Sequence, residues 1–138
     1  MSDSNSKSVF YGLMGTPFQS GLATSLFRMV DETLEQGHNV VVWCCGYGTM
    51  LSQTTVERRA DIFDVETDGE SANYPTTAEL IQSLFRKAEG KLDWYVCDYC
   101  MKERGAVDHI DEVKVKIPFS YYHYLNQSDV SLVLGVKS

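Results

Sequence analysis

Three short apolar runs separated by helical patterns constrain what this chain can fold into more than any other feature of its sequence. Val9-Phe10-Tyr11-Gly12-Leu13 is the first, and Gly12 and Gly15 punctuate its end. A loop over 13–19 is expected to follow. From Ser20 the period changes: Leu22, Ala23, Leu26, Phe27, Val30 and Leu34 recur on one helical stripe. Gly37 stands where such a helix ends. Asn39-Val40-Val41-Val42-Trp43-Cys44-Cys45 is the second run, closed by Gly46-Tyr47-Gly48. Strand, helix and strand within about forty residues make a βαβ unit. Strands that are apolar throughout, rather than alternating, need cover on both faces, as in a parallel sheet.

The pattern then continues in the same style. Residues 50–60 are expected to hold a short helix and 64–73 an acidic loop. Thr76-Thr77-Ala78-Glu79 is a capping-box sequence, and Leu80, Ile81, Leu84, Phe85 and Ala88 line one face behind it until Gly90. The third apolar run, 92–96, leads straight into Cys97, and a short helix over 98–104 stops at Gly105. A last helix over 119–126 and a closing strand over 130–134 complete the reading. The expected architecture is α/β: a single doubly wound, mostly parallel sheet of four or five strands with helices on both faces. Residues 1–7 are expected to form a flexible tail and 8–138 a single domain.

Composition narrows the function. A chain of 138 residues, 43% hydrophobic and 22% charged, can bury a core without staples. A net charge of −7 argues against nucleic acid as a direct partner, because phosphate binding needs a basic footprint. No apolar run is long enough to span a bilayer, and the start MSDSNSK lacks the basic and apolar regions of a signal peptide. The expected location is the cytoplasm, where four cysteines are read as thiols rather than structural disulfides.

The cysteines carry the chemistry. Cys97 follows Trp94-Tyr95-Val96 at the carboxyl end of a strand and precedes a helical stretch, a junction where α/β sheets place their sites. Backbone N–H groups and the positive end of a helix favour a thiolate there, which predicts a lowered pKa and the fastest-reacting of the four thiols. Lys102 and Arg104 add positive charge, and Asp98 and Glu103 oppose it. The same position also suits a small hydrophobe ending a buried strand. Cys97-Asp98-Tyr99-Cys100 is a C-x-x-C, a spacing used for dithiol exchange and for half of many zinc sites. Zinc would need two more ligands. Cys44 and Cys45 are candidates, but adjacent strand residues point to opposite faces, so at most one of them reaches a shared site. Neither a metal nor any other cofactor is expected.

The segment Val96-Cys97-Asp98-Tyr99-Cys100-Met101-Lys102-Glu103-Arg104-Gly105 resembles the active-cysteine segment of the DsrE/TusD-like (DsrE/DsrF-like) sulfur-relay family. In that family a cysteine ends a strand and an Arg-Gly pair follows a short helix. The opening βαβ unit, Gly37-His38 before the second strand, and the closing strand agree with the same family. The resemblance implies that Cys97 carries sulfur as a persulfide, with sulfur-donor and sulfur-acceptor proteins as partners. It also implies a homo- or hetero-oligomer of trimeric or hexameric type. Cys100 departs from the family's one-cysteine chemistry and raises the alternative that it acts as a resolving thiol.

Other candidates are ordinary in comparison. Gly12-Leu13-Met14-Gly15-Thr16 lacks the spacing and the lysine of a phosphate loop, so Gly12 and Gly15 are read as a turn lining the site. Arg104 and His109 are candidate binding residues near the thiol, with a solvent-exposed or capping histidine the plainer reading of His109. The aromatic run Tyr121-Tyr122-His123-Tyr124 exceeds what one helix face buries, which leaves core and oligomer contact both open. Three functions follow from the sequence: a persulfide carrier or sulfurtransferase using Cys97, a dithiol redox protein using Cys97 and Cys100, and a non-catalytic subunit of a DsrE-like complex.

Overall fold

Side chains along a strand alternate between two faces, and here both faces are apolar, so each needs its own cover. In the computed structural model, which describes residues 5–15, 21–55 and 75–135, that cover comes from helices on both sides of one sheet. The chain order is β1 (Ser8–Met14), α1 (Leu22–Glu35), β2 (Asn39–Cys45), a 3-10 helix (Gly46–Ser52), α2 (Thr77–Ala88) and β3 (Leu92–Cys97). It continues with α3 (Asp98–Glu103), β4 (Lys114–Lys116), α4 (Ser120–Gln127) and β5 (Val130–Gly135). The five strands lie in the order β4-β3-β2-β1-β5. Every pairing is parallel.

One face carries Val9, Tyr11 and Leu13 of β1, Val40, Val42 and Cys44 of β2, and Leu92, Trp94 and Val96 of β3. α1 covers it with Ala23, Leu26, Val30 and Leu34, and α2 with Ala78, Ile81, Leu84 and Ala88. Lys87 of α2 pairs with Asp31 and Glu35 of α1, tying the two helices together at their exposed side. The capping box forms as the sequence predicts. The Thr76 hydroxyl accepts the Glu79 N–H at 3.1 Å, and the Glu79 carboxylate accepts the Thr76 N–H at 2.9 Å.

The opposite face carries Phe10, Trp43, Tyr95 and Cys97, and α4 covers it with Tyr121, Tyr124 and Leu125. Tyr124 stacks on Tyr95 with ring centroids 4.5 Å apart, and Tyr121 meets Trp43 edge-on at 5.7 Å and Phe10 edge-on at 5.4 Å. Gly12 lies close beneath this packing. A Cβ there would lie 3.3 Å from the Phe10 ring, 3.5 Å from Val133 and 3.7 Å from the Tyr121 hydroxyl. The aromatic run therefore divides: Tyr121 and Tyr124 face the sheet, whereas Phe119 and Tyr122 are exposed.

The structure refines several expectations. All five strands are parallel, and β4, Lys114-Val115-Lys116, is a three-residue edge strand with no apolar run to announce it. Gly12 lies within β1, so the strand continues to Met14 and ends at Gly15, whose φ of 90° no β-branched or bulky residue readily adopts. The helix expected over 50–60 is instead a 3-10 helix that begins at Gly46. Residues 56–60, the acidic segment 64–73 and most of the loop expected over 13–19 lie outside the described residues. No helix among the described residues is long and apolar enough to cross a membrane.

Candidate functional site

In a sheet whose strands all run one way, their carboxyl ends share one edge. Met14, Cys45 and Cys97 end β1, β2 and β3 at that edge. The β2–β3 ladder sets Trp43 beside Tyr95 and Cys44 beside Val96, so the next rung sets Cys45 beside Cys97. Cys45 and Cys97 share the α4-covered face with Trp43 and Tyr95, two residues earlier on each strand. Adjacent strands are about 4.8 Å apart, which by itself brings these two sulfurs close. α3 begins directly after Cys97, and Cys100, three residues on, comes back over the same side of the helix. The Sγ atoms of Cys45, Cys97 and Cys100 all lie within 4.8 Å of one another.

Cys44 is excluded by the same alternation. It is fully buried on the α1/α2 face, among Val42, Trp94 and Val96. At most one of the Cys44-Cys45 pair was expected to reach a common site, and that one is Cys45.

Electrostatics at the cluster run against the expectation of a lowered Cys97 pKa. Cys97 is only 2% exposed, and burial raises its thiol above the ordinary value. The backbone N–H groups of Cys100 and Tyr99 pull the other way, as a helix start should, but burial is the larger effect. Cys45 is pushed up to about 12, again chiefly by burial, although the Trp43 indole N–H donates to its sulfur at 2.8 Å and favours the thiolate. Tyr121 of α4 is also raised by burial, with Cys45 adding to the shift, which places its phenol within electrostatic reach of the cluster. Cys45 and Cys100 are half-buried, and all four cysteines are free thiols. Cys45 and Cys97 thus rest as protonated thiols beneath an aromatic roof.

The remaining candidates stand at different distances from this chemistry. Gly15 touches the cluster's margin: its backbone N lies 3.2 Å from where a Cβ on Gly46, the residue after Cys45, would sit. Gly12 is a packing position beneath Tyr121. Arg104 donates from Nη1 to the Cys100 carbonyl at 3.3 Å and lies over the Tyr47 ring at 4.8 Å, so it braces the α3 backbone against the 3-10 helix. His109 is tied elsewhere. Its Nε2 lies 2.6 Å from the Ala106 carbonyl and must donate to it, which leaves Nδ1 to accept the Ser52 hydroxyl at 2.8 Å. Burial lowers its pKa, consistent with a neutral ring that ties the loop after α3 to the 3-10 helix. The functional residues that sequence reasoning passed over are Trp43 and Tyr121. The signal for Trp43 was its odd-numbered place on β2, shared with Cys45. A shallow apolar groove lined by Phe27, Leu80 and Leu84 lies between α1 and α2, on the other side of the sheet from the sulfurs.

No protein-family model and no curated protein sequence matches the chain. Among solved structures, the YchN protein of E. coli superposes with a TM-score of 0.73 at 12% identity, covering 93% of this chain and 99% of the other. The fold is DsrE-like. A conserved protein of unknown function from Bacteroides thetaiotaomicron, BT1422, matches with a TM-score of 0.53 at 12% identity, covering 91% of this chain and 94% of its own. These likenesses are of fold alone.

The geometry predicts an order of alkylation by iodoacetamide at neutral pH, read by peptide mapping of the native protein. Cys100 should label first and Cys44 last, with Cys97 slower than Cys100 because burial outweighs the helix start. Fastest labelling at Cys97 would mean that the helix start dominates after all.

Proposed function

We propose that the protein is a cytoplasmic carrier of sulfane sulfur that holds it as a persulfide on Cys97. The observation that carries this reading is the convergence of three thiols within 4.8 Å at the carboxyl edge of a DsrE-like sheet. The resemblance of segment 96–105 to the relay family's active-cysteine segment supports Cys97 as the holder. Burial suits a holder, because a persulfide there is sheltered from dilute thiols. The half-buried Cys100 and Cys45 then form the entrance and exit.

Each transfer is a thiol exchange. The Cys100 thiolate attacks the outer sulfur of a donor persulfide; a new S–S bond forms on Cys100, the donor's S–S bond breaks, and the donor leaves as a thiol. Cys97 repeats the step on the Cys100 persulfide, and an acceptor thiol reverses the sequence. Protons are conserved and no net oxidation occurs. The raised pKa of Cys97 makes its thiolate scarce but a strong nucleophile, and proximity offsets the scarcity.

A second reading is favoured by the closeness of Cys97 and Cys100 in particular. If Cys100 attacks the inner sulfur of a Cys97 persulfide, a Cys97–Cys100 disulfide forms and hydrosulfide leaves, so the two cysteines are oxidised as the outer sulfur is reduced. Mass spectrometry after incubation with a persulfide donor separates the readings. Carriage predicts one added sulfur atom on the Cys97 peptide, abolished in Cys97→Ser and loaded more slowly in Cys100→Ser. Loss of two hydrogens across Cys97 and Cys100, with no added sulfur, supports the dithiol reading. Equal loading in Cys97→Ser overturns the assignment.

Sulfur-donor and sulfur-acceptor proteins are the proposed partners, and self-association is proposed with them. Ile117, Phe119 and Tyr122 around α4 are 53%, 79% and 66% exposed, and Val130, Leu132 and Val133 of the edge strand β5 are exposed as well. Apolar surface of this kind on a small domain marks an interaction face. Light scattering at micromolar concentration should give a trimer or hexamer. A monomer would contradict self-association.

A further inference from the structure

The three sulfurs form a donor set with a distinct chemical character. Among the described residues no histidine, aspartate or glutamate joins Cys45, Cys97 and Cys100 in the group. His109 has both ring nitrogens bonded elsewhere, and Asp98 is paired with Lys102. Thiolate sulfur without nitrogen or oxygen selects soft cations. Structural zinc takes four protein ligands, and the only remaining cysteine, Cys44, faces the other side of the sheet. Three sulfurs, the whole group among the described residues, suit a closed-shell ion of low coordination number. We propose that Cys45, Cys97 and Cys100 form a trigonal binding site for copper(I), which competes with sulfane sulfur for Cys97.

The spacing fits. Metal–thiolate bonds near those of zinc, about 2.3 Å, place three trigonal sulfurs about 4 Å apart. Sulfurs already within 4.8 Å reach that geometry by small side-chain rotations. Two of the three ligands end adjacent strands and the third lies in the helix that follows, so the backbone is held before metal arrives. Hydrogen-bond donors for the resulting charge are in place. The Trp43 indole N–H points at the Cys45 sulfur, and the backbone N–H groups of Tyr99 and Cys100 favour charge on Cys97. Such outer contacts orient and tune metal-bound ligands. Thiols bind the metal as thiolates, so loading displaces protons. Copper enters and stays in the +1 state, so no electrons move.

The test is an anaerobic titration of the full chain with copper(I), using bathocuproine disulfonate as competitor, with X-ray absorption on the loaded protein. One copper(I) per chain with a shell of three sulfurs is expected. Affinity should fall at least about tenfold, a loss typical of a perturbed metal site, in each of Cys45→Ser, Cys97→Ser and Cys100→Ser, and should be unchanged in Cys44→Ala. Circular dichroism confirms folding; should Cys97→Ser unfold, the two half-buried positions and the X-ray shell still decide. A shell containing nitrogen or only two sulfurs, equal weakening in Cys44→Ala, or stronger retention of zinc than copper(I) would overturn the proposal. Persulfide loading measured in chelator-treated protein is unaffected by these outcomes, so failure here is separable from failure of the carrier reading.

Discussion

The in-register parallel pairing of β2 with β3 is the constraint on which the rest depends. Cys44 opposite Val96 forces Cys45 opposite Cys97, and the pleat then places both sulfurs on the face under α4. A slip of β3 by one residue would turn Cys97 towards α1 and α2, away from Cys45. Two buried cores oppose that slip. Trp43 and Tyr95 are locked against Tyr121 and Tyr124 on one face, and Trp94 stacks against Phe27 on the other. Burying an aromatic side chain contributes roughly 1.5–3 kcal/mol, so displacing several at once is prohibitive for a small domain. The site's geometry is in this sense a consequence of the core.

Once the sulfurs are fixed, their environment decides the chemistry. The helix start after Cys97 supplies N–H groups, yet α3 has only six residues and its field is local. Covering the strand ends with α4 removes water from Cys97 and Cys45 together, and the loss of solvation is the larger effect. The result is that Cys45 and Cys97 are sheltered, neutral thiols. Such a set is poorly disposed to react with dilute small molecules and well disposed to exchange among its own members, where proximity replaces intrinsic reactivity.

Much of this was legible in the sequence because the strands are apolar throughout and end in recognisable residues. The runs at Val9, Asn39 and Leu92 each became a strand, and the Thr76–Glu79 capping box started α2 as written. β4 was invisible because Lys114-Val115-Lys116 is too short and too charged to carry a pattern. Gly12 misled because a glycine that ends a strand and one that admits a neighbouring ring are spelled alike; only the Tyr121 ring distinguishes them. Alternation allows at most one of Cys44 and Cys45 at the site, but which one depends on the register with β3, a long-range pairing no local pattern encodes. The Cys97 pKa was misjudged for a related reason. The helix start is visible in sequence, whereas the burial that outweighs it comes from α4, which lies more than twenty residues further along the chain.

The convergence of Cys45, Cys97 and Cys100, with Cys44 apart, is the claim from which both the carrier chemistry and the metal site follow. Disulfide mapping of the native protein after brief oxidation with diamide tests it most directly. Bonds should form only among Cys45, Cys97 and Cys100, with Cys44 recovered as a free thiol. A disulfide to Cys44 in the folded protein, or no bond among the other three, would contradict it.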